Sequence, residues 1–169
     1  MRFDDPEVRE FLARSMILRL GALSPKGQPN IRCLWFVCQR GRIYIFTGAT
    51  TPTSRGISVH PDVALLFDGE RGPWSGRILR VRGRAVFRSE IAITGRVMLA
   101  LARKYFLTRP GRRNLLAHAG TVPTTIRFYA EGWAKVRKEL GRAPAVILEV
   151  LPESFEFLPR SPAQSKNSA

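Results

Sequence analysis

The stretch from residue 29 to 61 constrains the fold most, because it predicts two strands, a tight turn and a short helix in close succession. Ile31–Cys38 is apolar apart from one arginine and rich in aromatic and branched side chains, which predicts a strand buried on both faces. Gln39–Arg42 predicts the turn, in which Gly41 adopts a positive φ. Ile43–Thr47 predicts the returning strand.

Thr51 and Pro52 predict the start of the short helix, with the threonine hydroxyl as N-cap and proline at the first helical position. The backbone N–H groups of Thr53 and Ser54 are then expected to point outward, as a site for a phosphate. No acidic residue lies between positions 10 and 62. The basic residues there are Arg14, Arg19, Lys26, Arg32, Arg40, Arg42 and Arg55. The stretch would not repel an anion, although an ordinary basic surface gives the same charge pattern.

Length and composition bound the class of protein. A chain of 169 residues with 44% hydrophobic residues predicts one globular domain over 1–158, and the Ser/Pro/Asn-rich residues 159–169 predict a disordered tail. The net charge of +15 favours anionic partners such as a phosphorylated cofactor, nucleic acid or an anionic membrane surface. The N-terminus is no secretory signal, and no apolar run reaches the roughly 18 residues of a membrane helix. A cytoplasmic location is therefore expected.

No familiar catalytic or metal-binding spacing occurs in the sequence. Cys33 and Cys38 would point to opposite faces of one strand, so we expect two buried free thiols and no metal site. His60 is expected at the C-terminal end of the short helix, far from His118, and the tryptophans are expected mainly in packing roles. Catalytic residues stay unknown. An oxidoreductase whose cofactor carries the chemistry is compatible with this absence.

The remaining segments predict a mainly β protein, an antiparallel, Greek-key-like β-barrel with flanking helices. Beyond the stretch above, the pattern predicts helices over 6–14 and Ile93–Leu107, strands over Met16–Leu23, Asp62–Asp68, Thr124–Tyr129 and Ala143–Leu151, a loop over Gly69–Gly76, a break over Thr108–Arg113, an ambiguous segment over Asn114–Val122 and a turn over Arg137–Arg142.

Arg77–Ser89 alternates between apolar and basic residues, which predicts a half-buried strand. Its outer face would carry Arg80, Arg82, Arg84 and Arg88. Exposure to water, bound anions and acidic partners elsewhere in the fold are all compatible with this row.

Several motifs in order resemble one known family. They are SPKGQP at 24–29, RCLWF at 32–36, GRIYIFTG at 41–48, HPDVALLFD at 60–68, RVRGRAVF at 80–87 and VILEVLPESFEF at 146–157. This series is similar to the FMN-binding split β-barrel proteins, called pyridoxamine 5'-phosphate oxidase-like. The resemblance covers residues 6–90 well and 143–157 moderately.

The resemblance implies a homodimer with two flavin sites at the subunit interface. The cofactor-binding residues that it implies are Arg32, Leu34, Trp35, Phe46, Thr47, Thr51, Thr53 and Ser54. Relatives usually carry Arg-Lys or Lys where this chain has Pro52-Thr53, and Arg55 could supply the missing charge. FMN is the expected cofactor, and the deazaflavin coenzyme F-420 (F420) or a loss of cofactor binding are the alternatives.

The resemblance therefore implies a flavin-dependent oxidoreductase that transfers hydride to or from a small substrate. The alternative is a non-catalytic flavin- or haem-binding protein. Nucleic-acid binding has less support, because the sequence lacks interleaved exposed aromatic residues and a recognition helix. Pyridoxamine phosphate oxidation itself is less expected, since the C-terminal SPAQSKNSA lacks the basic residues for a substrate phosphate.

Overall fold

The computed structural model describes residues 1–69, 76–117 and 145–158. The helices are α1 (Pro6–Arg14), α2 (Pro52–Val59), α3 (Ile91–Ala102), a π-helical turn (Arg103–Leu107) and α4 (Arg109–Ala117). The strands are β1 (Leu18–Leu23), β2 (Pro29–Leu34), β3 (Phe36–Gln39), β4 (Arg42–Gly48), β5 (Asp62–Asp68), β6 (Ile78–Arg88) and β7 (Ala145–Leu158).

The seven strands form one antiparallel sheet in the order β2-β1-β5-β6-β7-β4-β3. β2 and β3 lie at the two edges, yet only Trp35 separates them in sequence. One intervening residue spans at most about 7 Å between its neighbours' Cα atoms. The sheet must therefore curl until its edges approach each other, which makes a half-barrel. The predicted fold class, a mainly β split barrel with flanking helices, is confirmed.

Two hydrophobic clusters hold this fold together. The main core lies on the concave side of the sheet, where every strand except the edge strand β2 contributes fully buried side chains, and α1 adds Val8, Phe11 and Leu12. The second cluster packs α3 and the π-helical turn against the other face of β3, β4 and β7. Its buried members are Met16, Val37, Tyr44, Val97, Met98, Leu101, Tyr105 and Ile147.

Tyr105 connects the second cluster to the crossover between the two edge strands. Its hydroxyl donates to the carbonyl of Met16 at 2.6 Å and accepts the N–H of Phe36 at 3.0 Å. Met16 lies two residues before the start of β1, and Phe36 is the first residue of β3, so both groups lie where the chain enters a strand. One side chain of the π-helical turn thus fixes the start of two strands.

The prediction of one strand over Ile31–Cys38, buried on both faces, is wrong. The chain breaks at Trp35, and Ile31 is 66% exposed whereas Val37 is 4% exposed. The reason is the position in the sheet: β2 pairs only with β1, and no described element covers its outer face, whereas α3 covers β3. Cys33 is accordingly exposed, so the prediction of two buried thiols is also wrong for this residue.

The segment after α3 also differs from its prediction. Residues 93–107 are not one α-helix, because the last turn is π-helical, and the break predicted over Thr108–Arg113 is confined to Thr108. The carbonyl of Thr108 accepts the N–H of Arg112 at 2.9 Å, and its Oγ1 accepts the N–H of Gly111 at 3.2 Å, so Thr108 caps a new helix. A Cβ on Gly111 would lie 2.4 Å from the Lys104 carbonyl oxygen, so glycine permits this sharp helix–helix turn.

The last strand runs further than predicted, to Leu158 instead of Leu151. A register shift opposite Arg82 and Gly83 lets Pro152 lie within β7 without breaking the pairing with β6. The predicted helix over 6–14, the strand Asp62–Asp68 and the positive φ of Gly41 (75°) are confirmed.

Several predictions lie outside the described residues. They concern the strand Thr124–Tyr129, the turn Arg137–Arg142, most of the loop Gly69–Gly76, the end of Asn114–Val122 and the tail 159–169.

Candidate functional site

The start of α2 is built by a hydrogen-bonded cap, as the sequence predicts. Thr51 Oγ1 accepts the N–H of Ser54 at 3.1 Å and lies 2.8 Å from Ser54 Oγ. The Ser54 hydroxyl donates to the carbonyl of Gly48 at 2.6 Å, which ties the end of β4 to the helix. His60 follows the last helical residue, and its N–H donates to the Gly56 carbonyl at 2.8 Å.

This cap uses the Ser54 N–H, which the sequence predicts to point outward as a donor to a phosphate. The Ser54 N–H already donates to Thr51, and Pro52 has no N–H. Arg55 donates its N–H to the Thr51 carbonyl at 3.0 Å. The prediction that the Ser54 N–H points outward is therefore wrong, because the side-chain cap and the phosphate would compete for one proton. Of the two predicted donors, the Thr53 N–H has no hydrogen-bond partner in the described part of the chain.

The position of α2 is fixed by a close backbone contact with β1. A Cβ on Gly56 would lie 2.0 Å from the Leu23 carbonyl oxygen, so only glycine lets the helix approach this far. In the β1–β2 hairpin, Leu23 pairs with Pro29 and Leu20 pairs with Arg32. Arg32 therefore lies three residues, about 10 Å, along the hairpin from the point where α2 touches it.

Two of the predicted site residues offer uncompensated positive charge. Arg32 on β2 and Arg55 on α2 are exposed, and neither has an ion pair within the residues that the structure describes. Arg19 on β1 differs, since it pairs with Asp68, and this hydrogen bond raises the pKa of Arg19. Arginine side chains, with the Thr53 N–H, are thus the groups here that fit a phosphate.

The predicted aromatic residues lie in the second hydrophobic cluster. The Trp35 ring stacks on Tyr105 with centroids 4.2 Å apart and planes 5° apart, and Phe106 contacts it edge-on at 6.2 Å. One face of the indole is therefore already covered. Phe46 packs against the same cluster.

The nine predicted residues thus fall into separate groups. Thr51, Thr53, Ser54 and Arg55 share the start of α2. Trp35 and Phe46 share the second cluster, whereas Leu34 packs against the main core and half-buried Thr47 pairs with Val146. Arg32 stands on the edge strand.

The structure shows a buried acidic residue, Glu149, that was not predicted from the sequence. Glu149 is 4% exposed, accepts the Tyr44 hydroxyl at 3.2 Å, and forms ion pairs with Arg42 at 3.1 Å and with Arg88. Burial acts to raise the pKa of Glu149, but the hydrogen bond and charge of Arg88 and the charge of Arg42 outweigh it, so the pKa is lowered. Burial and the Glu149 charge raise the pKa of Tyr44. A single acid inside the apolar run 146–151 was the only local signal.

Acidic partners explain most of the arginine row on β6. Arg80 pairs with Glu156, Arg88 pairs with Glu149, and Arg84 lies 3.5 Å from Asp62. Arg82 alone among the four has no ion pair in the described part of the fold. The row is therefore neutralised mainly within the barrel.

The structure adds two negative findings for the residues that it describes. No group of three or more His, Cys, Asp or Glu side chains could hold a metal ion there. None of the helices in this part is long and apolar enough to cross a membrane.

Fold and site together define a split β-barrel protein whose short helix α2 carries an exposed arginine, Arg55, near its start. The chain belongs to the pyridoxamine 5'-phosphate oxidase family, whose family model matches residues 4–118. A comparison with curated proteins finds no match.

Solved structures of similar fold span several kinds of protein. A conserved hypothetical protein from Mycobacterium tuberculosis is 17% identical, with a TM-score of 0.64, over 94% of this chain and 90% of its own. An F420 reductase is 22% identical, with a TM-score of 0.57, over 88% of this chain and 94% of its own. An FAD-binding protein from Mesorhizobium loti is 18% identical, with a TM-score of 0.59, over 89% and 91%.

Proposed function

We propose that the protein binds a flavin, FMN, with its phosphate beside the start of α2. The observation that carries the proposal is the presence of two exposed arginines without ion pairs, Arg32 and Arg55, on a hairpin and a helix that meet at the end of β1. An arginine guanidinium can donate two parallel hydrogen bonds to one phosphate. Membership in this family makes a flavin the phosphate-bearing group to expect.

The chain's own residues would have separate tasks at this site. Arg55 and the Thr53 N–H would hold the phosphate, and Arg32 would neutralise charge further along the hairpin. The Thr51–Ser54 cap would keep the helix start rigid before binding, which lowers the entropic cost of ordering the site. The bound flavin would supply the hydride-transfer chemistry of an oxidoreductase acting on a small substrate.

F420 is the alternative cofactor. Pro52-Thr53 stands where relatives carry lysine, so this chain offers one arginine at the helix start for a phosphate. The net charge of +15 would also suit the anionic tail of the deazaflavin, and an F420 reductase is among the structures of similar fold. A cytoplasmic location completes the proposal.

We further propose that two copies of the chain form a homodimer over the outer face of β2, β1 and β5. Ile31, 66% exposed, pairs with Gly21, which pairs with Ala64 on the next strand. Paired residues share one face of a sheet, so a large apolar side chain stands beside two small ones. A second sheet could approach such a surface closely and cover Ile31. We propose no nucleic-acid partner, because three arginines of the β6 row already have acidic partners.

The first experiment is the absorbance spectrum of the purified protein, with the extracted cofactor identified by mass. FMN and F420 are then titrated into cofactor-free protein and followed by fluorescence. Arg55→Gln should weaken FMN binding about tenfold or more, since a charge-assisted hydrogen bond contributes about 1.5–3 kcal/mol. Arg82→Gln removes an arginine of β6 that is also exposed and has no ion pair within the described residues, and it should leave the affinity unchanged.

Two further measurements separate the parts of the proposal. Light scattering coupled to gel filtration should give a mass near twice 19.0 kDa. Reoxidation of the reduced cofactor by candidate acceptors distinguishes an oxidoreductase from a binding protein without turnover. A protein that binds neither FMN nor F420 would refute the cofactor assignment.

A further inference from the structure

A groove of about 800 Å³ lies between α1, β3 and the segment that joins α3 to α4. None of the nine residues predicted to bind the cofactor lines it. The groove is therefore separate from the start of α2 and from Arg32.

Part of the wall of this groove is apolar. The half-buried side chains of Phe3 and Ala100 and the exposed side chain of Ala13 supply its accessible apolar surface. Cys38 also lines the wall, and burial raises the pKa of its thiol to about 12 despite the opposing charge of Lys104. At neutral pH this thiol is uncharged and behaves as a small apolar group.

The mouth of the groove carries positive charge. Arg9, Arg40 and Arg103 line it, are exposed, and have no ion pair within the described residues. Lys104 lies deeper, with its Nζ 3.5 Å from the Phe36 ring centroid.

Acidic residues are scarce among those that line the groove. Glu10 is the one acidic residue among those that line the groove, and it already pairs with Arg14 at 2.8 Å. Four basic side chains thus line a partly apolar groove, and the one carboxylate among the lining residues already has an ion pair.

We propose that this groove binds an amphipathic anion, a carboxylate carried on an apolar chain, as in a fatty acid. The carboxylate would lie at the mouth between Arg9 and Arg103, where guanidinium groups can pair with it bidentately. The chain would lie along Phe3, Ala13 and Ala100, where burial of their accessible apolar area stabilises the complex. Both halves of the ligand thus match a feature of the same groove.

The test is a calorimetric titration of the purified full-length protein with dodecanoate, below its micelle concentration. We expect one saturable site per chain, unaffected by saturating FMN. Dodecanol, which has the same chain without the charge, should bind at least about fivefold more weakly. The double variant Arg9→Gln/Arg103→Gln should weaken dodecanoate binding by up to about 25-fold, because each exposed ion pair contributes up to about fivefold.

Two variants control for charge and for folding. Arg82→Gln removes one unpaired arginine outside the groove and should leave dodecanoate binding unchanged. Ala100→Phe fills the groove and should abolish binding, with its melting temperature showing that it still folds. The proposal is overturned by a lack of saturable binding, by equal affinity for dodecanol, by an equal loss in Arg82→Gln, or by displacement with FMN.

Discussion

Replacing Tyr105 by Phe tests how the crossover between the two edge strands is held. The change removes only a hydroxyl and keeps the ring that stacks on Trp35. That hydroxyl has two short hydrogen bonds, to the Met16 carbonyl at 2.6 Å and from the Phe36 N–H at 3.0 Å, and a longer one to the Phe36 carbonyl at 3.3 Å. All three of these residues are at most 2% exposed, so water cannot readily replace the lost partner.

The expected cost follows from the two backbone groups that lose their short hydrogen bonds to the hydroxyl, the Met16 carbonyl and the Phe36 N–H. A buried donor or acceptor left without a partner costs about 1–3 kcal/mol. Two such groups together would cost about 2–6 kcal/mol. Because losses above about 4 kcal/mol are exceptional for a single substitution, we expect Tyr105→Phe to lower the free energy of unfolding by about 2–4 kcal/mol.

Urea unfolding followed by far-UV circular dichroism, at one protomer concentration, measures this cost. With a slope of about 2 kcal/mol per M, the midpoint of Tyr105→Phe should fall by about 1–2 M urea. Tyr44→Phe is the matched control: Tyr44 is 3% exposed, but its acceptor Glu149 keeps two arginine partners. Tyr44→Phe should cost about 0.5–1.5 kcal/mol. If Tyr105→Phe costs no more than this control, the crossover is not held by the tyrosine hydroxyl.

Three further predictions follow from other parts of the barrel. Gly56→Ala should lower the melting temperature, because its Cβ would lie 2.0 Å from a β1 carbonyl oxygen, whereas Gly95→Ala on α3 meets nothing within 4 Å and should gain up to about 1 kcal/mol. The lowered pKa of Glu149 contributes stability above its unfolded pKa of about 4.3 that is lost as pH falls through the folded pKa, so in urea titrations from pH 7 to pH 3 the Glu149→Gln variant should lose less stability than the wild type. In native protein at pH 8, iodoacetamide should alkylate exposed Cys33 and spare Cys38, whose thiol pKa is raised to about 12, as mass spectrometry of peptides can show.

Each of these predictions has an outcome that contradicts it. Equal stabilisation by both alanine variants would mean that α2 does not rest on β1 as described. Parallel stability profiles for wild type and Glu149→Gln between pH 3 and pH 7 would mean that this carboxylate has an ordinary pKa in the folded state. Equal alkylation of both cysteines in native protein, as expected only in denaturant, would contradict the raised pKa of the Cys38 thiol.

Local patterns predicted the elements that depend on neighbours in sequence. The N-cap at Thr51 and the alternation of β6 are confirmed, because capping and strand periodicity need only the residues around them. Burial on both faces was predicted for the whole apolar run, which contains Ile31 and Val37. The prediction is wrong for Ile31, which is exposed, and right for Val37, which is buried. What covers the second face of a strand is decided by the position of that strand in the sheet. The sequence pattern around these residues does not contain this position.

The buried acid Glu149 shows the same limit for a polar centre. Its partners come from β4 and β6, so only the sheet order brings Arg42 and Arg88 to one carboxylate. The arginine row of β6 likewise left three explanations open in the sequence. The register of β6 with β5 and β7 decides among them, because it sets acidic residues beside three of the four arginines.

The helix start shows that two local predictions can each be reasonable and still exclude each other. A threonine N-cap accepts the N–H three residues on, and here that proton is the Ser54 N–H that a phosphate would also need. Pro52 removes another donor, so the helix start retains the Thr53 N–H as its contribution to anion binding. A phosphate at this end of the barrel would therefore be held mainly by arginine side chains. Dissolved salt screens the charge of exposed arginines. The affinity for a phosphate at this helix start should therefore fall more with ionic strength than the affinity of a site built from backbone N–H donors alone.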